Sequence, residues 1–166
     1  MQTAQLEDWL SPDEYLALEE SAEQRHEYVD GQIYAMSGGS LRHNRIALNI
    51  SSKLMQHLDG TRCQTYMNDV KLHIAASSSY YYPDVLVNCQ RETQADGTAQ
   101  VSDAQLIIEI LSPSTETIDR REKLSAYRKL ASLQEYVLIS QTEPKVEIYR
   151  RQSASAWLYI VYEAGD

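Results

Sequence analysis

The sequence has few cysteines, no long apolar run, and fewer basic than acidic residues. Its two cysteines, Cys63 and Cys89, stand far apart and match no metal-binding spacing, so we expect neither a thiolate metal site nor a disulfide framework. No apolar stretch approaches the roughly 18 residues that a membrane-spanning helix needs. The first residues lack the basic start and apolar core of a signal peptide. These absences favour a cytoplasmic protein in a reducing compartment.

The charge balance argues against one class of partner. Fifteen lysine and arginine residues stand against 24 aspartate and glutamate residues, a formal net charge of −9. Proteins that hold nucleic acid usually present a basic face, because phosphate neutralisation supplies much of their affinity. The acidic total therefore disfavours tight non-specific DNA binding by a monomer and suits protein partners. It leaves room for a local basic groove, and some of the acidic residues could be metal ligands.

The length of 166 residues suits one domain with a substantial core. We find no internal repeat, linker or low-complexity tract, so we expect a single domain over 1–166, with 1–10 flexible. Helices that flank and then interrupt a set of strands predict an α/β or α+β fold with a mixed central sheet. The expected helices cover 11–21, 40–58 and 119–131, and the expected strands cover 25–29, 32–37, 62–67, 69–74, 80–87, 106–111, 135–140, 144–150 and 156–162, with a turn at 77–79 and a polar loop at 90–103.

The clearest local signals lie in the N-terminal helix and β-hairpin. Ser11 followed by Pro12 and, three residues after the cap, Glu14 is the pattern of a capping box with proline at the first helical position. Asp30-Gly31 is a favoured two-residue turn between antiparallel strands.

Two carboxylates stand in apolar surroundings. Glu109 lies inside the run Leu-Ile-Ile-Glu-Ile-Leu, which is typical of a strand buried on both faces. A buried carboxylate must be neutral, paired or metal-bound, and a salt bridge to Arg120 or Lys123 is the structural alternative to a functional role. Asp84 follows Pro83, which belongs at a strand start, bulge or edge; it is either aimed out of a sheet end or a plain turn residue.

One lysine shares a helix face with apolar residues. Lys123, Ala126, Tyr127 and Leu130 are spaced as neighbours on a single face. The ordinary explanation is a lysine whose aliphatic stem is buried while its amine reaches water. The alternative is an amine that works beside the two carboxylates. Lys71, on the strand before Asp84, competes for that role.

These residue types suffice for phosphodiester hydrolysis. Magnesium binds through one or two carboxylates while keeping waters and phosphate oxygens, and it can activate a water and stabilise the leaving oxygen. A nearby ammonium can orient the water or neutralise developing charge. The same set would also make a structural charge network.

The motifs around the two carboxylates and the lysine resemble those of a known family. Pro-Asp-Val-Leu-Val, Ile-Glu-Ile-Leu-Ser-Pro-Ser-Thr and the Asp-Arg-Arg-Glu-Lys-Leu-Ser-Ala-Tyr-Arg helix are similar to the Uma-two (Uma2) family of bacterial restriction-endonuclease-like proteins, catalogued as a domain of unknown function. That family belongs to the PD-(D/E)xK nuclease superfamily. The resemblance covers roughly 12 to 162 and implies a restriction-endonuclease-like core.

The resemblance assigns roles to residues of this chain. It implies that Asp84 and Glu109 bind the metal, that Glu27 is an additional acidic residue of the site, and that Lys123 is the catalytic lysine. The superfamily usually places that lysine two residues after the second acid, where this chain has Leu111. The side chains expected to line the site are His43, Lys71 and Tyr127.

The resulting expectation is a Mg²⁺- or Mn²⁺-dependent endonuclease that hydrolyses phosphodiester bonds in DNA, a homodimer by analogy with many proteins of this fold. The alternative is a non-catalytic interaction or regulatory protein that retains the fold. A third hypothesis, hydrolysis of small phosphorylated molecules, rests on Gly38-Gly39-Ser40 before a helix, a weak signal that fits a strand-to-helix turn equally well.

Overall fold

The structure is a computed structural model that describes residues 9–90 and 99–166. The expected flexible start therefore lies, except for residues 9 and 10, outside the described residues, as does most of the expected polar loop at 90–103. Among the described residues, no helix is long and apolar enough to cross a membrane.

The two long helices form where the sequence predicts them. Helix α1 spans Pro12–Ser21. Ser11 and Glu14 complete the capping box, since the backbone N–H of Ser11 donates to Glu14 Oε2 at 2.8 Å and Ser11 Oγ accepts from the Glu14 N–H at 3.3 Å. Helix α2 spans Leu41–His57 and is capped by Ser40, whose Oγ accepts from the His43 N–H at 3.0 Å.

The helix expected over 119–131 is displaced and irregular. Helical structure runs from 116 to 127 as α3 (Glu116–Ile118), a π-helical stretch (Asp119–Lys123) and α4 (Leu124–Tyr127). A π stretch has a wider turn than an α-helix. It contains both Asp119 and Lys123, and both side chains are buried.

Eleven strands among the described residues form two sheets. The strands are β1 His26–Val29, β2 Gln32–Ala35, β3 Gln64–Met67, β4 Lys71–Ile74, β5 Ser79–Tyr81, β6 Val85–Asn88, β7 Gln100–Val101, β8 Leu106–Leu111, β9 Glu135–Ser140, β10 Val146–Arg151 and β11 Trp157–Tyr162. The six-stranded sheet has the order β11-β10-β9-β8-β6-β3, in which β8 and β9 are parallel and the other pairs antiparallel. The five-stranded sheet has the order β2-β1-β5-β4-β7, with a parallel β4–β7 pair.

The single strand expected over 80–87 is wrong. The chain forms β5 in the five-stranded sheet, leaves it at Pro83, and enters the six-stranded sheet as β6. Proline has no N–H to donate to a ladder, so the chain changes sheets at this residue. The turn expected at 77–79 overlaps a 3₁₀ turn (Ala75–Ser77) and the start of β5. The polar loop is wrong at its end, where β7 pairs with β4.

The six-stranded sheet has an apolar cluster on each face. Ala47 of α2 packs with Val85, Ile108 and Ile110 on one face. Tyr127 of α4 belongs to the cluster on the other face, with Ile107 and Leu111 among its members. The alternation along β8 therefore directs Glu109 toward the helical segment 116–127, on the same face as its neighbours two residues away.

The structure contradicts the expectation that the two cysteines form no disulfide. Cys63 and Cys89 are joined by a disulfide across 26 residues of sequence. They lie directly beyond the paired positions Gln64 and Asn88 of β3 and β6. Antiparallel pairing brings such distant positions opposite one another, which spacing along the chain does not reveal.

Candidate active site

Glu109 lies in the middle of β8, between β6 and β9, and is 3% exposed. Its Oε1 accepts hydrogen bonds from Lys123 Nζ at 3.2 Å and from the Tyr127 hydroxyl at 2.8 Å. Of the two structural partners suggested by sequence, Lys123 is therefore correct and Arg120 is not. Arg120 pairs instead with Glu147, with Nη1 2.9 Å from Glu147 Oε1.

Asp84 reaches the same point from the start of β6. Val85 pairs with Ile108, which places Asp84 just beyond the ladder, beside Glu109. Asp84 Oδ2 accepts from the Ile110 N–H at 2.7 Å, and the Asp84 N–H makes a long contact of 3.4 Å with Glu109 Oε2. His43, in the first turn of α2, lies with Nε2 3.0 Å from the same Oδ2. Asp84 is thus a positioned carboxylate at the sheet end, not a plain turn residue.

The ammonium of Lys123 stands among three carboxylates. Its Nζ is 2.9 Å from Glu27 Oε1, 3.2 Å from Glu109 Oε1 and 3.5 Å from Asp119 Oδ1. The residue is 6% exposed, so the amine does not reach into solvent as the ordinary explanation required. Lys123 is therefore held as a buried cation by β1, β8 and the π-helical stretch.

Burial and neighbouring charge shift the protonation of these groups. Burial raises the pKa of Glu109 well above its usual value, and the Lys123 ammonium only partly opposes this. Burial likewise raises the pKa of Asp119. Burial alone would lower the pKa of Lys123, but Glu109, Glu27 and Asp119 outweigh it and raise that pKa well above the usual value. The hydrogen bond to Asp84 raises the pKa of His43. Lys123 is thus charged at neutral pH.

These groups form the floor of an open cavity of about 460 Å³. Two uncharged polar loops form its rim: residues 37–40 precede α2, and residues 112–115 follow β8. Gln141 connects the two sides of the rim, because its Nε2 donates to the Leu111 carbonyl at 2.8 Å and its Oε1 accepts from Ser40 Oγ at 2.8 Å. The floor is strongly charged and the rim is rich in neutral hydrogen-bonding groups.

The structure brings most of the expected site residues together. Glu27, His43, Asp84, Glu109 and Lys123 all line this cavity, and Tyr127 supports it from behind through its bond to Glu109. Lys71 lies elsewhere. Its half-buried amine is 5.1 Å from the ring centroid of Tyr15 and 5.9 Å from that of Tyr80.

Sequence reasoning missed Asp119, which lines the cavity and is 2% exposed. Its Oδ1 is buried without a hydrogen bond, although Lys123 Nζ lies within ion-pair distance at 3.5 Å. The signal was present, because Asp119 precedes Lys123 by four residues and so shares its helix face.

The donor set fits a hard divalent cation with few protein ligands. Within the described residues, no group of three or more His, Cys, Asp or Glu side chains is arranged to hold a metal. Asp84 Oδ1 accepts no hydrogen bond there, and Glu109 Oε2 has only the long 3.4 Å contact. Two such carboxylate oxygens match magnesium, which keeps several waters and adds substrate phosphate oxygens. The cavity is lined by four carboxylates, Glu27, Asp84, Glu109 and Asp119, and by a single ammonium, that of Lys123, and a bound cation would balance the excess of acidic groups.

Comparisons with known proteins agree with this architecture. The family model described as "Uma2: Putative restriction endonuclease" matches residues 12–166. Two uncharacterized proteins of Synechocystis sp. (strain ATCC 27184 / PCC 6803 / Kazusa) are 40% identical over 157 residues, covering 95% of this chain and 82% of the relative, and 36% identical over 150 residues, covering 90% and 85%.

A solved structure shares the fold. The crystal structure of "a putative nuclease belonging to DUF820" from Anabaena variabilis ATCC 29413 matches with a TM-score of 0.77 and 20% identity, over 95% of this chain and 86% of that one. The expected restriction-endonuclease-like fold, with its mixed sheet and flanking helices, is confirmed.

Proposed function

The chain belongs to the Uma2 family of restriction-endonuclease-like proteins, and on that premise we propose that it is a divalent-metal-dependent endonuclease that hydrolyses phosphodiester bonds in DNA. One observation carries the proposal: Asp84, Glu109 and Lys123, from three separate elements, line the floor of one open cavity. A buried charge network that served stability alone would not need to open onto a polar-rimmed cavity.

The carboxylates would hold the metal. Asp84 Oδ1 and Glu109 Oε2 are the oxygens available for Mg²⁺ or Mn²⁺, and the bound ion would supply electrostatic stabilisation and an acidified water. His43 and the Ile110 N–H hold the other Asp84 oxygen. Tyr127 and Lys123 hold the other Glu109 oxygen. Both carboxylates are therefore oriented before any ligand arrives.

Lys123 would act as a fixed cation beside the reacting phosphate. Because its pKa is raised by three carboxylates, it stays protonated and cannot be the base that removes a proton from water. Its role is to orient the attacking water and to neutralise the charge that develops on phosphorus-bound oxygen. Water adds to phosphorus, the P–O bond to the leaving oxygen breaks, one proton of the attacking water passes to solvent, and the leaving oxygen takes up a proton from solvent. Glu27 would position Lys123 rather than touch substrate.

A second candidate function is a non-catalytic interaction or regulatory protein, which the net charge of −9 favours. Calorimetric titration with Mn²⁺ separates the two, because the nuclease proposal requires binding at millimolar metal or below. The hypothesis of small phosphorylated substrates gains no such support. Ser40 caps α2 with its hydroxyl, as a strand-to-helix turn requires.

The decisive experiment is cleavage of plasmid and oligonucleotide DNA with Mg²⁺ or Mn²⁺. We expect Asp84→Ala and Lys123→Met each to lower cleavage at least a hundredfold, a typical loss when one stabilising group is removed. Lys71→Met is the matched control, since it removes a half-buried lysine outside the cavity, and should cleave at the native rate. Cleavage that survives both site substitutions would refute the proposal, and circular dichroism confirms that each variant is folded.

A further inference from the structure

One long segment of this chain contains no acidic residue. Between Asp30 and Asp59 there is no aspartate or glutamate, although the chain contains 24 such residues. The same segment contains Arg42, Arg45 and Lys53. This segment is therefore positively charged, although the chain as a whole has a net charge of −9.

Helix α2 places these cations on its outward side. Its inward residues pack against the six-stranded sheet, with Ala47 and Ser51 buried. Arg42, Arg45, Asn49, Lys53 and Gln56 are all exposed, and their spacing of three or four residues places them along one stripe. We call these five residues the α2 stripe. It consists of cations and amides and contains no acidic group.

The α2 stripe begins at the rim of the candidate site. Arg42 Nη1 donates to the Gln141 carbonyl at 3.1 Å, and Gln141 lines the cavity. His43, one residue further, contacts Asp84. Arg45 and Lys53 make no ion pair with the described residues, so their charge is available to a partner.

We propose that the α2 stripe binds the phosphodiester backbone of the nucleic acid beside the bond to be cut. This inference rests on the proposed function and names the surface by which an acidic protein holds a polyanion. From Arg42 to Lys53 the helix rises about 16 Å, which corresponds to four or five phosphates at roughly 3.4 Å of axial spacing per strand. The exposed amides of the stripe can add hydrogen bonds to phosphate or sugar oxygens.

A second copy of the chain is the competing occupant of this helix. Leu41, Leu48 and Met55 recur every seven residues and are 93%, 57% and 62% exposed, a spacing that could pair two helices. However, α2 contains no acidic residue. An α2–α2 pair would bring Arg45 and Lys53 close to cations of the second helix, with no acidic group on either helix to compensate the repulsion. Charge complementarity therefore favours a polyanion.

The test is equilibrium binding of a fluorescently labelled 20-base-pair DNA duplex, measured by anisotropy in EDTA so that no cleavage occurs. Arg45→Gln/Lys53→Gln removes two cations of the stripe that lie away from the cavity. Arg121→Gln/Lys129→Gln is the matched control, which removes two exposed cations from the helical segment 116–127 and its end, on the opposite face of the sheet.

Salt dependence separates phosphate contacts from a general charge effect. Each lost phosphate contact flattens the slope of log K against log salt by roughly 0.9. Between 50 and 200 mM salt, binding by the native chain should therefore weaken about twelvefold more than binding by the stripe variant. The control variant should keep the native slope.

Three outcomes would overturn the inference. The first is native-like binding by the stripe variant, and a stable dimer that Leu48→Glu dissociates would then identify a second copy as the occupant of the helix. The second is an equal loss in the control. The third is loss of all binding by the native chain at 50 mM salt while it still cleaves DNA. Failure of the nuclease proposal is distinguishable, because stripe-dependent binding without metal-dependent cleavage would retain this inference and refute only that proposal.

Discussion

Replacing Lys123 by methionine should destabilise the protein in a pH-dependent way. The substitution keeps most of the side-chain volume but removes the only ammonium within ion-pair distance of Glu27, Glu109 and Asp119 in the described chain. Removing one partner of a buried ion pair typically costs about 3–5 kcal/mol, because it leaves uncompensated buried charge. We expect a loss of this size at pH 8.

The loss should shrink as the pH falls. Burial raises the pKa of Glu109, and the Lys123 ammonium is the main group that lowers it. Without Lys123, this pKa therefore rises further above its value in the unfolded chain. The folded variant then binds more protons than the unfolded chain at pH values between the two pKa values. Its unfolding free energy therefore falls as the pH rises through that window, by about 1.4 kcal/mol per pH unit for each carboxyl involved. The native chain keeps the ammonium that lowers this pKa, so the loss relative to the native chain should be smaller at pH 5 than at pH 8.

Urea denaturation at pH 5, 6.5 and 8 measures how the stability lost in Lys123→Met changes with pH. Lys71→Met is the control, because the amine of Lys71 belongs to no ion pair of the described residues and its pKa is lowered by burial. Its effect should be small and nearly independent of pH. Glu27→Gln combined with Lys123→Met should recover part of the loss at pH 8. A Lys123→Met variant as stable as the native chain at pH 8, or a loss that does not change with pH, would refute the description of this cluster.

Three further predictions concern the metal, the histidine and the disulfide. Because burial raises the pKa of Glu109, Mn²⁺ binding at a pH below that pKa should release a proton. Calorimetry in two buffers of different ionisation enthalpy should then give different apparent enthalpies, and equal values across the acidic range would contradict this. The hydrogen bond to Asp84 raises the pKa of His43, so NMR titration should place it above the ordinary histidine value and Asp84→Asn should lower it; an unchanged pKa in that variant would show that Asp84 is not the cause. The Cys63–Cys89 disulfide closes a loop across 26 residues of sequence, which should stabilise the oxidised chain by roughly 3–4 kcal/mol on the loop-entropy model. The unfolding free energy of Cys63→Ser, measured by denaturation, should be lower by that amount. Two free thiols in the untreated native chain would refute the pairing.

Much of the local structure follows from short sequence patterns. The Ser11 capping box and the Asp30-Gly31 turn form as expected, with Asp30 and Gly31 both at positive φ. The predicted strand at 135–140 matches β9. These features depend on residues within a few positions of one another, so the chain sequence contains all the information they need.

Other features depend on contacts between distant segments. Only the sheet pairing shows that β5 and β6 belong to different sheets, that 100–101 pairs with β4, and that Cys63 meets Cys89. Helical structure begins at Glu116, not 119, and residues 119–123 form a π stretch whose wider turn no local pattern predicts.

Glu109 shows what the sequence determines and what the tertiary structure adds. The aliphatic residues around it in the sequence indicate a buried carboxylate that needs a partner, because an unpaired buried charge is too costly to persist. Sequence left Arg120 and Lys123 as equal candidates. The tertiary structure decided between them, since the alternation along β8 directs Glu109 toward the face where Lys123 and Tyr127 lie, while Arg120 is drawn to Glu147. The partner of a buried charge is set by which side chains the packed elements bring within hydrogen-bond distance.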